Sequence, residues 1–434
     1  MTTLNIIQPG TEHASLAEAY RAVRAQSVVL CVPLTVEDQG LQAVAETSPP
    51  KWHLAHTTWF FETFILKPFV PGYQVVDPVF EVLFNSYYNG IGAQHPRHQR
   101  GLLSRPSVAE VGAYRDAIDA SILALLAQDH PEWTEIAQRL TLGLHHEQQH
   151  QELLLTDIKY SFFQNPIFPA YSTRPLAPAE RAAPLHWLDF PGSTVITGHQ
   201  DDGFCFDNEQ PAHPFIVAPY QLASRPVTNA EYLAFIADRG YQQPQWWLAD
   251  GWGNCQEASW QHPLYWVRQG DDWFEFTLHG LQPLDHHAPV CHLSGYEADA
   301  YARWAGARLP TEHELEQALK NQPVKGQFVE SGDFHPRQHP NANFFGGVWE
   351  WTASAYAPYP GFQTAAGAIG EYNGKFMANQ LVLKGGSCAT PAGHIRASYR
   401  NFFYPPDRWQ FTGLRLARSK PDSQSSQGTP SWMQ

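Results

Sequence analysis

The fold of the first half is decided by residues 48–62, SPPKWHLAHTTWFFE, where Ser48 can cap a helix that has proline in its first turn. The apolar and aromatic residues that follow predict a helix that must end before Pro68. A second segment, residues 145–152 with the sequence HHEQQHQE, lies inside a long helical pattern that begins at Pro131. The two segments predict two long helices, both rich in histidine.

Two further helices complete the prediction for the first half. One covers residues 16–30 and stops before the next proline, and the other begins at Ser107, which forms a capping box with Glu110. Four helices of this length predict a four-helix bundle over residues 1–165. The connection over residues 68–106 is too long for a simple bundle turn, and long ordered loops often carry functional residues.

The second half of the chain has a different sequence pattern. Short β-like runs, such as residues 193–198 and 214–222, alternate with clusters of Gly, Pro, Asp and Trp. Helical patterns occur only at residues 229–240, 294–306 and 311–320. This predicts an irregular α+β domain. The expected boundaries are a Pro/Ala-rich linker at 166–186, a domain at 187–418 and a disordered tail at 419–434.

The composition excludes several classes of function. The chain has 434 residues and a net charge of −14, which argues against nucleic acid or an anionic membrane as a partner. It has no apolar run long enough to span a bilayer and no signal peptide, so we expect a soluble, cytoplasmic protein. The five scattered cysteines argue against a disulfide framework and a Cys-based zinc site.

The histidines predict a metal site. His146 and His150 are four residues apart on one helix, so both imidazoles project from the same face, about 6 Å apart. The plain alternative is a solvated or core histidine pair. The other histidine-rich helix offers His53 and His56, and either could be the third ligand on geometry alone. A ligand from a neighbouring bundle helix would complete a three-point site with open positions.

Together, segments 48–62 and 145–152 resemble the DinB-like domain of the sulfoxide synthases of the ergothioneine pathway. The second half resembles their partner domain, which has the formylglycine-generating-enzyme or sulfatase-modifying-factor fold and is related to C-type lectins. The matching segments are residues 225–236, 291–318, 346–354, 383–390, 395–403 and 411–418. The resemblance covers nearly the whole chain except the tail, and it implies that His56, His146 and His150 bind Fe(II).

The resemblance also implies a reaction, in which hercynine (Nα-trimethylhistidine), a thiol and O2 give a C–S bond at imidazole C2 and a sulfoxide. Three neutral histidine ligands suit this reaction because they leave three positions open for imidazole, thiolate and O2. The incoming thiolate then supplies the negative charge that no protein carboxylate provides.

Several residues acquire roles by the same resemblance. Gln149 would contact the substrate imidazole, although an ordinary surface glutamine is the alternative. Tyr87 or Tyr88, with Tyr88 slightly favoured, would donate a proton or hydrogen bond, although packing also explains a tyrosine there. Arg97 and Arg100 would hold the carboxylate of the thiol substrate, although they could be plain surface charges.

The strip at residues 400–404 resembles the family segment that reaches the metal site from the second domain. Asn401 and the ring of Phe402 would contact the trimethylammonium group, a cation that prefers an aromatic face. Phe403 stands where the enzymes that use γ-glutamylcysteine carry an aspartate. Because an apolar ring cannot meet the glutamyl amino group, free cysteine is the expected sulfur donor.

Other functions remain as alternatives. These are the same reaction with γ-glutamylcysteine, a selenium-transferring synthase, and an ovothiol-type synthase. An ovothiol-type synthase generally carries an extra methyltransferase domain, for which we expect neither the length nor a G-x-G-rich motif in this sequence. Formylglycine generation needs two cysteines, and Cys388 has no partner in the residues that follow it. A non-catalytic lectin-like protein with a structural metal would need a fourth protein ligand. The oligomeric state stays open.

Overall fold

The computed structural model describes residues 9–177, 180–338 and 344–420. Its first half contains the helices α1 (Pro9–Cys31), α2 (Pro50–Phe61), α3 (Lys67–Phe69), α4 (Phe80–Phe84), α5 (Val108–Leu126) and α6 (Trp133–Phe163). Helices α1, α2, α5 and α6 pack against one another, which confirms the predicted four-helix bundle. The capping box of Ser107 and Glu110 is formed at the start of α5. None of the helices among the described residues is long and apolar enough to cross a membrane.

Helix α2 begins one residue later than the sequence predicts. Its N-cap is Pro49, which makes no side-chain cap hydrogen bond. Ser48 is not the cap because its hydroxyl accepts a hydrogen bond from Nη1 of the buried Arg100 (2.9 Å). The competing tertiary contact thus overrides the local capping preference.

The prediction that this helix ends before Pro68 is wrong. A π turn (Glu62–Leu66) follows α2 and leads directly into α3, which contains the proline. Proline has no N–H to give to the carbonyl four residues earlier, which belongs to Phe64. That carbonyl instead accepts a hydrogen bond from Arg139 of α6 (3.2 Å), so the proline is tolerated.

The second half is an irregular α+β domain, as predicted. Its helices are α7 (Asn229–Ala237), α8 (Ala249–Glu257), α9 (Gly295–Trp304) and α10 (Glu312–Lys320). Its strands are β1 (Trp187–Phe190), β2 (Ser193–Thr197), β3 (His213–Val217), β4 (Tyr220–Ala223), β5 (Trp266–Gln269), β6 (Asp272–Thr277), β7 (Gly280–Pro283), β8 (Gly326–Gln327), β9 (Phe345–Gly346), β10 (Trp349–Ala355), β11 (Leu381–Lys384), β12 (Asn401–Phe403), β13 (Thr412–Gly413) and β14 (Ala417–Ser419).

Five small sheets organise this domain. The largest has the strand order β12-β11-β10-β13, with β11 antiparallel to both of its neighbours and β13 parallel to β10. The sheet β1-β4-β14 pairs the beginning of the domain with its end, and β5-β6-β7 form a meander. Two two-stranded pairs, β2-β3 and β8-β9, complete the set in the described residues. Most of the tail that was expected to be disordered, from residue 421 on, lies outside the described residues.

Helix α8 is not predicted from the sequence, whose helical patterns in the second half lie at three other segments. Its sequence, ADGWGNCQE, contains two glycines, which are poor helix formers. Gly251 fits closely against Tyr296 of α9, where an added Cβ would lie 2.9 Å from the tyrosine Cβ. Tertiary packing therefore stabilises a helix that local propensity disfavours.

The C-terminal half of α6 joins the two halves of the molecule. Its apolar side chains Leu154, Leu155, Ile158 and Phe162 share one buried cluster with Tyr265, Phe276, Leu278 and Phe411 of the second domain. Glu152 is buried in the same junction and accepts hydrogen bonds from Trp349 Nε1 (2.8 Å), Ser387 Oγ (2.5 Å) and Thr390 Oγ1 (2.9 Å). One helix thus carries both the metal-site histidines and the contact with the second domain.

Candidate metal centre

Three histidines from two helices meet in the interior of the bundle. His56 lies on α2, and His146 and His150 lie on adjacent turns of α6. One ring nitrogen of each lies within 4.8 Å of the others, and the Nε2 atoms of His56 and His146 are 3.3 Å apart. The ring centroids form a nearly equilateral triangle with sides of 5.0, 4.7 and 4.6 Å. The structure thus brings together the three residues that the resemblance implies.

Burial keeps these imidazoles neutral at pH 7. It lowers the pKa of His146 to about 3. Burial, followed by the nearby His146, also holds the pKa of His56 well below its usual range, and the pKa of His150 is lowered chiefly by the same two causes. A neutral imidazole keeps one ring nitrogen with a free lone pair, which is the form that binds a metal ion. The donor set therefore fits a divalent transition metal.

The protonated nitrogen of His56 is fixed by the backbone. Its Nδ1 lies 2.6 Å from the carbonyl oxygen of Phe84, which can only accept a hydrogen bond. Nδ1 therefore carries the proton, and the Nε2 that faces His146 has the free lone pair. The ring of Trp52 stacks on His56 with its centroid 4.7 Å away. His56 is thus held with its free lone pair directed at the other two histidines.

His53, the alternative third ligand, does not join the triangle. Its Nδ1 lies 2.8 Å from the Nδ1 of His150, and its Nε2 lies 3.0 Å from Oδ2 of Asp157. Both of its ring nitrogens therefore have partners on α6. The geometry favours His56 over His53 as the third member of the site, a choice that spacing alone left open.

Gln149 links the metal site to the second domain. Its Nε2 donates to the hydroxyl of Tyr399 (2.7 Å), and its Oε1 accepts a hydrogen bond from the hydroxyl of Tyr372. The ring of Tyr372 lies 5.5 Å from that of His146, and the hydroxyl of Tyr399 also lies 2.9 Å from Nε2 of His394. Gln149 is therefore not a solvated surface side chain, and residues of the second domain form one wall of the site.

Tyr87 and Tyr88 lie in the long connection and pack together. Their rings are stacked at 4.5 Å, and their hydroxyl oxygens are 3.4 Å apart. The ring of Tyr88 lies 6.5 Å from Phe60, which in turn lies 4.7 Å from His146. Burial raises the pKa of both phenols, so both are protonated at neutral pH. The ring of Phe60 therefore lies between Tyr88 and the histidines.

The two arginines of the same connection occupy different environments. Arg100 is buried and lies over the ring of Trp52 at 3.5 Å, and its Nη2 donates to Ser86 (3.1 Å). Its Nε has no hydrogen-bond partner among the described residues. Burial, with the nearby Arg97 as a smaller cause, lowers the pKa of Arg100 to about 9. Arg97 is exposed and donates to the backbone carbonyl of Glu46.

Asn401, Phe402 and Phe403 form strand β12 at the edge of the largest sheet. The ring of Phe402 stacks on Tyr356 at 4.1 Å and lies 6.0 Å from Phe376. Phe376 lies 5.3 Å from Tyr87, so this strip reaches the long connection of the bundle through one aromatic ring. Phe403 is half-buried. The strand thus lies at the junction of the two halves.

Some residues of the site were missed by the sequence analysis. Asp157 follows His150 by seven residues, which is two helical turns, so its position on the same face of α6 could have been found from spacing. Tyr372 and Tyr399 have no such local relation to the histidines, because only the docking of the second domain places them there. No sequence periodicity could have identified them.

The cysteine that formylglycine generation would require is unsuited to that chemistry. Cys388 is fully buried, and burial raises its pKa well above the usual value, which disfavours the thiolate. All five cysteines are free thiols.

Two family models match the chain. The model of the DinB superfamily matches residues 19–154, and that of the sulfatase-modifying factor enzyme 1-like domain matches residues 186–347 and 327–420. These matches confirm the predicted fold class of a DinB-like bundle followed by a sulfatase-modifying-factor domain.

Curated relatives cover both halves together. A hercynine oxygenase of Mycolicibacterium smegmatis is 31% identical over 85% of this chain and 91% of its own length. A hercynine oxygenase of Mycobacterium tuberculosis is 32% identical over the same shares of the two chains. Ergothioneine biosynthesis protein 1 of Schizosaccharomyces pombe is 27% identical over 52% of this chain and 30% of its own length. The chain therefore belongs to the hercynine oxygenase family, and it is an oxygen-dependent oxidoreductase.

Proposed function

We propose that the chain is a non-heme Fe(II) sulfoxide synthase that joins the sulfur of cysteine to C2 of the hercynine imidazole with O2, giving hercynylcysteine sulfoxide in ergothioneine biosynthesis. The observation that carries the proposal is the meeting of three neutral histidines, His56, His146 and His150, in a group that includes no carboxylate from the described residues. The names of the hercynine oxygenase relatives support hercynine as the substrate.

The composition of the donor set supports an open catalytic site. Among the described residues, the group of potential ligands whose atoms converge has three members. A structural metal would be expected to have four protein ligands, whereas three leave positions for substrates. When bound there, Fe(II) would supply the redox chemistry with O2 and hold both organic substrates next to each other.

The overall reaction balances without an additional reductant. The imidazole C–H bond and the thiol S–H bond are broken, and a C–S bond and an S=O bond are formed. Forming the C–S bond releases two electrons and oxidising the sulfur releases two more, which together reduce O2. One oxygen atom becomes the sulfoxide oxygen and the other leaves as water with the two hydrogens.

Gln149 is proposed to orient the hercynine imidazole. Tyr399 and Tyr372 fix its amide in one orientation, because Nε2 donates to Tyr399 and Oε1 accepts from Tyr372. Each of these groups makes one hydrogen bond in the structure and retains the capacity for a second. A pre-oriented amide costs less conformational entropy on binding than a free side chain.

A phenol of Tyr87 or Tyr88 is proposed to hold a proton for the oxygen chemistry. Tyr88 is buried and Tyr87 half-buried, and desolvation raises the pKa of each, so each enters the reaction protonated. Tyr372 is a third phenol near the site, and burial raises its pKa as well. The hydroxyl of Tyr372 is already donated to Gln149, which favours the Tyr87–Tyr88 pair as the free donor.

Cysteine is proposed as the sulfur donor, held through its carboxylate by Arg97 and Arg100. Arg100 keeps its positive charge at neutral pH, since its pKa of about 9 is still above 7. Its unpaired Nε is a buried donor available to a carboxylate oxygen. Phe403 offers no charge to a glutamyl ammonium group, which favours the smaller donor.

Asn401 and Phe402 are proposed to receive the trimethylammonium group of hercynine. Phe402 belongs to a stack of aromatic rings with Tyr356 and Phe376, and stacked rings present a negative face to a cation. Strand β12, which carries both residues, lies at the junction with the bundle, where Phe376 connects Phe402 to Tyr87.

The proposal is tested by product analysis. Protein purified without oxygen and loaded with Fe(II) is mixed with hercynine and either cysteine or γ-glutamylcysteine, and O2 is then added. The expected product mass is that of hercynylcysteine sulfoxide, with cysteine the better donor. No O2 consumption with either thiol would contradict the enzyme assignment, and a sulfoxide from γ-glutamylcysteine alone would contradict the choice of donor.

A further inference from the structure

His53 lies one turn before His56 on α2 and faces α6 rather than the triangle of histidines. Its side chain is buried. Its two ring nitrogens contact His150 Nδ1 (2.8 Å) and Asp157 Oδ2 (3.0 Å), and Asp157 is also buried. A carboxylate, an imidazole and a metal-site imidazole are therefore connected in series across two helices.

The direction of each hydrogen bond in this series follows from the carboxylate of Asp157, which can only accept. Asp157 Oδ2 accepts a hydrogen bond from the backbone N–H of Ser48 (2.8 Å), as expected of a carboxylate. A carboxylate also accepts from His53, so the neutral form of His53 carries its proton on Nε2 and has its free lone pair on Nδ1. The contact at 2.8 Å then requires that His150 donates from Nδ1. The Nε2 of His150 is thereby left without a proton.

The three histidines of the site are not supported equally. Nδ1 of His56 is held by the carbonyl of Phe84, and Nδ1 of His146 is buried without a partner among the described residues. Of the three, it is His150 that contacts a further histidine, His53, which in turn contacts a carboxylate, that of Asp157. A hydrogen bond to such a partner orients the ring of a metal ligand and raises its basicity.

We propose that His53 and Asp157 are positioning residues that hold His150 in the tautomer and ring orientation in which its Nε2 faces the metal. The inference rests on the proposed function, because it assumes that His150 is a ligand. It assigns to His53 a role as the support of a ligand, in place of the ligand role that its position on α2 had left open.

The test measures metal binding without turnover. Full-length metal-free protein is titrated with Co(II) against a chromophoric chelator, and the visible spectrum of the bound Co(II) is recorded. His53→Leu removes the acceptor for His150, and we expect Co(II) affinity to fall about 10- to 100-fold with a changed spectrum. His53→Asn places an amide oxygen near the position of Nδ1, and its affinity should stay within about threefold of wild type, since the hydrogen bond is restored.

Thr57→Val is the matched control, because Thr57 is buried on the same helix and the contacts of its hydroxyl, with the carbonyl of Leu54 (3.3 Å) and with Arg115 (3.5 Å), do not involve the histidines. Its affinity and spectrum should equal those of wild type. Wild-type affinity and spectrum in His53→Leu, or an equal loss in His53→Asn and His53→Leu, would overturn the positioning role.

Two further measurements separate the inference from the proposed function. If His146→Ala binds Co(II) as tightly as wild type does, the three-histidine site itself is wrong. If His53→Leu does not fold, Asp157→Ala takes its place. It removes the acceptor of His53 Nε2, so His53 is no longer held with its Nδ1 lone pair towards His150, and a reduced Co(II) affinity is expected. Unchanged affinity in Asp157→Ala would then overturn the inference.

Discussion

At the scale of single residues, Phe403 decides the proposed choice of sulfur donor. We predict that Phe403→Asp raises the ratio of kcat/KM for γ-glutamylcysteine to kcat/KM for cysteine by about tenfold or more, since a hydrogen bond to a charged group contributes about 1.5–3 kcal/mol. The ratio is measured with Fe(II)-loaded protein at saturating hercynine and O2. Phe403→Leu, which stays apolar, should leave the ratio unchanged. An unchanged ratio in Phe403→Asp would remove the argument for cysteine.

The buried neutral state of His146 has a consequence for the stability of the metal-free protein. Its folded pKa of about 3 lies below the value of about 6.5 expected in the unfolded chain, so the unfolded state takes up protons first as the pH falls. This histidine therefore costs no stability above pH 6.5 and destabilises the fold progressively as the pH drops from there towards 3.

We predict that His146→Gln weakens this pH dependence. Between pH 7 and pH 5 the metal-free wild type should lose about 2 kcal/mol more unfolding free energy than the variant, from this histidine alone. Chemical denaturation of both proteins at the two pH values measures the difference. Parallel losses in both proteins would show that His146 titrates normally.

At the scale of elements, Glu147 ties three helices of the bundle together. It lies on α6 next to His146, is fully buried, and binds Arg24 of α1 (2.9 Å) and Arg115 of α5. Burial raises its pKa, but the two arginines outweigh it and bring the pKa to about 2, so the carboxylate is charged. The position of the metal-site helix thus depends on this ion-pair cluster.

We predict that Glu147→Gln lowers the unfolding free energy by about 3–5 kcal/mol, because the buried Arg115 loses its counter-charge and Arg24 keeps only that of Asp119. Urea denaturation of the metal-free protein measures it. The matched control on the same helix is Glu135→Gln, which breaks an exposed pair with Arg139 and should cost at most about 1 kcal/mol. Equal small effects in both variants would contradict the structural importance of the cluster.

The elements also show how far the sequence could predict the fold. The histidines of α6 were placed on one face because four residues make about one helical turn, and the capping box of Ser107 marked a helix start correctly. The prediction that the helix ends before Pro68 was wrong because the proline rule considers only local hydrogen bonds. Arg139, which lies 71 positions after Pro68, satisfies the carbonyl of Phe64 that the proline leaves free. Local rules fail where a distant side chain replaces a local hydrogen bond.

At the scale of the whole molecule, the junction of the two halves is held by Glu152. Its two oxygens accept three hydrogen bonds from the second domain, from Trp349, Ser387 and Thr390. The same junction places Tyr372 and Tyr399 against Gln149. A correct active site therefore requires the docking of the two halves. This explains why the sequence could predict the histidines but not Tyr372 and Tyr399.

We predict that Glu152→Ala loosens this junction. It leaves the indole N–H of Trp349 without an acceptor, and also one of the hydroxyls of Ser387 and Thr390, which lie 3.3 Å apart and can satisfy only one donor between them. Each unpaired buried donor costs about 1–3 kcal/mol. Hydrogen exchange of the amides in strand β10 and in residues 385–390 should accelerate in the variant, while exchange in the core of α5 should change little. Glu152→Gln retains one acceptor oxygen and should show an intermediate effect. Unchanged exchange in Glu152→Ala would contradict the role of this contact.

The central claim is that one metal ion binds to His56, His146 and His150 alone among protein ligands. The most direct test is a crystal of Fe(II)-loaded protein, prepared without O2, with diffraction recorded on both sides of the iron absorption edge. We predict one strong anomalous peak about 2 Å from one ring nitrogen of each of the three histidines. A peak elsewhere, a peak that includes His53, or a fourth protein ligand would contradict the claim.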